Sequence, residues 1–93
     1  MYARVAYAQI KKSMMGEFTK QWNQVQTGNK KVKGWKGASL LVDHSADKIV
    51  SITNYESQAE MKATLTAHNE RVAKFSYWAN TPTTEHYEVV AQV

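Results

Sequence analysis

One histidine of this 93-residue chain sits where an imidazole could do chemistry. His68 lies in the line Met61, Leu65, His68, Val72 and Phe75, spaced four, three, four and three. That spacing puts all five on one stripe of a helix, so the imidazole faces whatever the apolar residues face. A histidine in that place can act as a general base. It can equally be a core histidine satisfied by a neighbour, or one rotated to the edge of the stripe. Trp22, Tyr7, Tyr55 and Trp78 are candidate walls for a flat ligand, although aromatic rings fill cores and interfaces just as readily. Asn54, at the end of a strand, can orient a substrate oxygen or serve the turn that follows.

Other chemistry is poorly supplied. The chain has no cysteine, which removes a disulfide framework, a thiolate nucleophile and a cysteine-based zinc site. His44, His68 and His86 fall on a turn, a helix and a strand with no short ligand spacing, so no metal site is expected. There is no Gly-x-Ser-x-Gly elbow, and Ser13 and Ser57 read as helix caps.

The net charge of +4 is concentrated in Gly28-Asn29-Lys30-Lys31-Val32-Lys33-Gly34-Trp35-Lys36-Gly37, which holds four lysines and no acid. Glycine loops that bind phosphate follow a strand and open a helix, so that the helix N-terminus meets the anion. This block follows a helix and leads into a strand. Both arginines lie outside it, and nucleic-acid binding is therefore not expected. Gly28 reads as the helix stop, Gly34 and Gly37 as flexible points, and Trp35 as an anchor.

The elements that must position these residues can be read in order. Residues 2–10, rich in Tyr, Val and Ile, form a first strand. Met15, Phe18, Trp22 and Val25 form the apolar stripe of a first helix, capped by Ser13 and ending near Thr27-Gly28. Residues 38–43 and 48–55 read as strands joined by the polar turn 44–47. Ser57 and Glu60 form a Ser-x-x-Glu capping box that opens a second long helix, running to about residues 77–80 ahead of Pro82. Residues 84–93 alternate as a last strand.

The order βαββαβ predicts a single α+β domain over 1–93 of ferredoxin-like plan, a four-stranded antiparallel sheet with both helices on one face. Yet Leu40 and Leu41, Val89 and Val90, and Ile49, Val50 and Ile52 place apolar side chains on both sheet faces. No third layer exists to cover the second face, and a second copy of the chain is the simplest cover. No 18-residue apolar run is present, so no membrane association is expected. The first residues lack the basic segment and long apolar run of a secretory signal, and the expected location is the cytoplasm.

Taken together, Gly34-Trp35-Lys36-Gly37-Ala38-Ser39-Leu40-Leu41-Val42-Asp43, a strand ending in Tyr55-Glu56-Ser57, a long helix, and Pro82-Thr83-Thr84-Glu85-His86-Tyr87-Glu88-Val89-Val90 resemble the antibiotic biosynthesis monooxygenase-like domains of the dimeric α+β barrel superfamily. The resemblance covers nearly the whole chain and rests on the order and spacing of loose motifs. It departs at Tyr55, where members commonly carry tryptophan. It implies a homodimer whose sheets face each other, with a small ligand held between sheet and helices in each subunit. It also implies a role for His68 as acceptor of the proton of an acidic phenol or enol, the step that permits reaction with dioxygen without a cofactor. The positions where haem-degrading relatives carry tryptophan and an iron-ligating histidine fall near Thr64 and Lys74, and Ala6 or Tyr7 stands where they carry asparagine, so haem is not expected.

Two readings stay open. The chain is a small homodimeric domain that binds and oxidises a hydrophobic aromatic or quinone-like molecule, with His68 as the catalytic base, Trp22, Tyr7, Tyr55 and Trp78 as walls and Asn54 beside them. Alternatively it is a non-catalytic ligand-binding or assembly module whose interior is filled by Met15, Phe18, Trp22, Met61, Leu65 and Phe75.

Overall fold

The computed structural model describes all 93 residues. Its elements are β1 (Tyr2–Gln9), α1 (Met15–Asn29), β2 (Trp35–Asp43), β3 (Lys48–Tyr55), α2 (Gln58–Ala63), α3 (Leu65–Lys74) and β4 (Thr83–Glu88). The strands form one antiparallel sheet in the order β2-β3-β1-β4. This is the ferredoxin-like α+β plan, with the second helix divided in two. No helix is long and apolar enough to cross a membrane.

Strand register separates the two sheet faces. Pairs such as Ala6–Ser51, Ala8–Ile49, Leu40–Ser51 and Val42–Ile49 share the face that carries the helices. The pairs Val5–Ile52, Tyr7–Val50 and Leu41–Val50 share the other. The core gathers at one end of the helix side, where Ile10, Phe18 and Ile49 are buried against Leu40, Val42, Trp22 and Trp78. The Phe18 ring meets Tyr77 and Trp78 edge-on, with centroids 5.8 and 5.6 Å away. Such pairs add to the burial of their area.

Several boundaries differ from those expected. α1 runs through Gly28 to Asn29, its N-cap is Met14 without a side-chain bond, and Ser13 instead takes a positive φ of 73°. Gly34 and Gly37 are the glycines that the backbone needs, with φ of +84° and +117°. Gly37 falls where the β2–β3 register shifts between Trp35 and Ala38, so β2 begins three residues early with a bulge. Trp35 anchors that start by donating its indole N–H to Gln26 Oε1 of α1 at 3.3 Å. The lysines of the block stand exposed to solvent.

Half of the expected capping box forms. The Glu60 N–H donates to Ser57 Oγ at 3.2 Å, but the Glu60 carboxylate packs against Gly34 with Oε2 buried and unpartnered. The single long helix is interrupted at Thr64, whose φ and ψ are −97° and −1°. The chain leaves α3 at Phe75, well before Tyr77, because Tyr77 and Trp78 are drawn onto the end of β1. Lys11 N–H donates to the Tyr77 carbonyl at 2.7 Å, Ala79 N–H to that of Gln9 at 2.8 Å, and Ile10 forms a bridge with Trp78. The last strand stops at Glu88 and not at Val93, because Glu88 pairs with Tyr2, where β1 begins. Residues 89–93 run past the paired length, and Val90 and Val93 are exposed.

Because Phe18 is 4% exposed and joins α1, the sheet and the Tyr77–Trp78 segment, Phe18→Ala is expected to cost roughly 3–5 kcal/mol. A lower urea midpoint with an unchanged slope is the expected readout.

Candidate functional site

The helix-side face of β1 reads Arg4, Ala6, Ala8, a large cation followed by two small side chains. With Ser51 and Thr53 of β3 beside them, the alanines leave the floor of the sheet too shallow to meet the helices above. The result is a cleft between the sheet, α1 and α3, closed at one side by Phe75 and Trp78. Its volume is about 70 Å³, roughly half of the ~150 Å³ that takes up a benzene in an engineered cavity. A single ring fits if it projects through the mouth or shifts a side chain.

Trp22 and Trp78 line the cleft with their polar atoms already engaged. The Trp22 indole N–H donates to Ser51 Oγ at 2.9 Å and that of Trp78 to the Val72 carbonyl at 2.8 Å. What they offer a ligand is ring surface.

The opposite end is cationic. Arg4 is 4% exposed, and every acceptor that it meets is neutral. Its Nη2 donates to the Met61 carbonyl at 2.8 Å and to Thr64 Oγ1 at 3.1 Å, its Nη1 to the Tyr55 hydroxyl at 3.4 Å, and its Nε to His86 Nε2 at 3.3 Å. The guanidinium carbon also lies 5.5 Å from the Tyr55 ring centroid. Burial, and then the neighbouring Arg71, hold Arg4 below its ordinary value, opposed by Tyr55. His68 stands on α3 one turn before Arg71, with Nε2 3.3 Å from Thr84 Oγ1. Burial, followed by the charges of Arg4, Arg71 and His86, lowers its pKa to about 4. At neutral pH it is an uncharged imidazole under a strong positive field.

No model of a known protein family and no curated sequence matches the chain. Solved structures do. A putative antibiotic biosynthesis monooxygenase from Nitrosomonas europaea superposes with a TM-score of 0.78 at 18% identity, over 96% of this chain and 89% of that one. The fold is that of the antibiotic biosynthesis monooxygenases. A monooxygenase from Streptomyces coelicolor, in complex with nanaomycin D, shares that fold with a TM-score of 0.77 at 11% identity, over 99% and 89% of the two chains. The haem degrader MhuD of Mycobacterium tuberculosis, with two hemes bound in its active site, gives 0.74 at 14% identity, over 100% and 99%.

On this monooxygenase fold, His68, Trp22, Tyr55 and Trp78 all border the cleft. Tyr7 and Asn54 do not. Tyr7 alternates with Ala6 and Ala8 and so points to the other sheet face, where it is 39% exposed; Asn54 lies between Thr53 and Tyr55 and takes that same outer face. An aromatic ring on a strand was assigned inward by its chemistry, whereas parity along the strand decides the matter. The histidines are also less scattered than their spacing suggests. His68 and His86 converge on the same guanidinium neighbourhood, while His44 stays in the exposed β2–β3 turn.

Arg4 and Arg71 are the residues that sequence reasoning passed over. A signal existed for each. Arg4 shares the inward parity of Ala6 and Ala8, and Arg71 stands three residues after His68 on the same helix face.

The depressed imidazole has a consequence for acid stability. Between pH 6.5 and about 4 the unfolded chain binds a proton at His68 that the folded chain resists. Stability therefore falls as pH drops through that window, and above it neither state is protonated and the residue contributes nothing. Solvent screening at this partly exposed ring keeps the loss well below the full value of the shift. His86, held low by burial and by Arg4, acts in the same direction. In urea titrations at pH 7 and pH 4.5, His68→Gln is expected to lose less stability on acidification than the parent chain.

Proposed function

We propose that the chain works as a homodimer that binds a hydrophobic aromatic or quinone-like molecule in the cleft and oxidises it with dioxygen, without a cofactor. The observation that carries this reading is the pairing, in one cleft, of ring surfaces from Trp22 and Trp78 with a cationic end built by Arg4, Arg71 and a neutral His68. Two solved structures of the same fold hold organic ligands, nanaomycin D in one and haem in the other.

The chemistry assigned to the residues differs from simple base catalysis. An imidazole with a pKa of about 4 is a poor acceptor while the cleft is empty, since an effective base titrates near the working pH. The same two guanidiniums that weaken it would stabilise a bound enolate or phenolate, which lowers the pKa of the substrate instead. Burial, the larger cause of the low pKa, remains when a ligand binds, but the anion offsets the part due to the arginines and stabilises an imidazolium beside it, so that the imidazole can hold the proton. A substrate methylene then loses a proton to His68, and the carbanion gives its electron pair to dioxygen with formation of a C–O bond. The resulting hydroperoxide, protonated, expels water as its remaining C–H bond breaks to leave a carbonyl. The balance is one CH2 and one O2 to one C=O and one H2O.

Haem does not fit the residues present. His68 is the sole histidine of the cleft, its Nε2 faces Thr84, and an iron cation beside it would meet two guanidiniums. The cleft is also far smaller than a tetrapyrrole.

The dimer is inferred from the sheet face that the helices leave uncovered. Val5, Tyr7, Leu41, Val50 and Ile52 share it, and Leu41 is 52% exposed. Contiguous apolar surface of this kind marks an interaction site. Leu41→Glu is expected to convert the dimer to monomer in sedimentation equilibrium at micromolar concentration. A parent chain that sediments as a monomer would remove the dimer from this proposal.

A second reading, a binding or assembly module without turnover, draws on the cleft volume of about 70 Å³, which side chains already narrow. Oxygen uptake with phenylacetone, a single ring bearing an enolisable methylene, separates the two. Turnover by the parent chain that falls on the order of 100-fold in His68→Gln is the expected result. No uptake by the parent favours the module, and uptake retained in the variant removes the histidine from the mechanism.

A further inference from the structure

The charges around the cleft do not balance. Arg4 is buried, and its four recorded partners are a carbonyl, two hydroxyls and an imidazole, none of them anionic. Arg71 borders the same space and makes no ion pair. The single ion pair of the molecule is Lys36–Glu56, exposed and not part of the cleft lining, at 3.9 Å. No aspartate or glutamate lines the cleft at all. The nearest candidate, Glu60 of α2, turns its carboxylate to Gly34 instead, and it is not among the groups whose charge acts on Arg4.

Removing a cation from water costs several kcal/mol unless an opposite charge compensates it. Arg4, buried, and Arg71, half-buried, face one cleft from which every protein acid is directed away, and the missing member of such a site is an anion. The guanidinium of Arg4 has five N–H groups, four of which are engaged, and the guanidinium of Arg71 makes no hydrogen bond within the protein. Planar forks of this kind match a carboxylate. A ring attached to that carboxylate would reach the Trp22 and Trp78 surfaces, and the cleft volume limits it to one ring.

We propose that the ligand of this cleft is a small aromatic carboxylate, one ring bearing a carboxylate that seats between Arg71 and Arg4 while the ring lies against Trp22 and Trp78. The proposal rests on the aromatic-binding reading above and narrows it, since a neutral quinone would leave both guanidiniums uncompensated.

Calorimetric titration with benzoate, benzamide, acetate and inorganic phosphate at fixed ionic strength tests it. Benzoate is expected to bind at least about tenfold more tightly than either benzamide or acetate, because a hydrogen bond to a charged group and the ring contact each contribute. Arg71→Gln is expected to weaken benzoate by about tenfold or more and to leave benzamide unchanged. Arg71 is only half-buried, so this variant should fold, which circular dichroism and the urea midpoint would verify; Arg4→Met is kept as a second probe. Benzamide equal to benzoate would overturn the anion proposal while leaving the aromatic-binding reading intact. Acetate or phosphate equal to benzoate would mark a general anion site and overturn the aromatic part. Absence of binding by all four would overturn the proposal outright, and phenylacetone oxidation would then still decide the enzymatic reading on its own. Unchanged benzoate affinity in Arg71→Gln would also count against it.

Discussion

The guanidinium of Arg4 ties the sheet to the end of the second helix by side-chain hydrogen bonds. From β1 it reaches the ring and hydroxyl of Tyr55 on β3, His86 on β4, and both sides of the junction between α2 and α3. The Met61 carbonyl accepts from Arg4 and from Thr64 Oγ1 and N–H together, so the last carbonyl turn of α2 is satisfied without continuing the helix. One buried cation thus sits at the break in the second helix and sets part of the electrostatic field that the side chains of α3 meet. Burial first, and then that cation with Arg71, keeps His68 neutral, and the arginines give the cleft an electrostatic direction, apolar at the tryptophans and positive at the opposite end.

Space in the cleft comes from what is missing on the floor. Ala6 and Ala8 carry too little side chain to fill the gap beneath the helices, whereas Ile10 on the same face is 1% exposed and closes the core tightly. Along the stretch from Arg4 to Ile10 the interior passes from a charged joint, through an opening, to a packed core. Layer spacing is set by the large residues at the two ends, and the alanines between them inherit the distance.

The fold was legible because its signals are local and periodic. Strand alternation, the apolar stripe of Phe18, Trp22 and Val25, and the Ser57 cap each lie within a few residues of one another. What was not legible depends on partners far away in the chain. The break at Thr64 needs Arg4, sixty residues earlier; the exit from α3 at Phe75 needs Gln9 and Lys11; the end of β4 needs the start of β1. For the site, His68, Trp22, Tyr55 and Trp78 were readable by type and stripe. Tyr7 and Asn54 were misplaced because inward parity follows from the whole sheet register and not from the appeal of a side chain. The arginines were overlooked because attention to basic residues went to the exposed lysine block, where charge costs little and means little.

The interruption at Thr64 also has a mechanical meaning. α2, six residues long, is pinned at Met61 to the buried end of the sheet, whereas α3, ten residues long, has no buried residue of its own. His68 and Arg71 both ride on that looser segment, and the floor of alanines and Arg4 belongs to the sheet. The cleft thus has a floor fixed by the strand ladder and a wall attached at both of its ends, at Thr64 to Arg4 and at Val72 to the Trp78 indole, with little buried surface between.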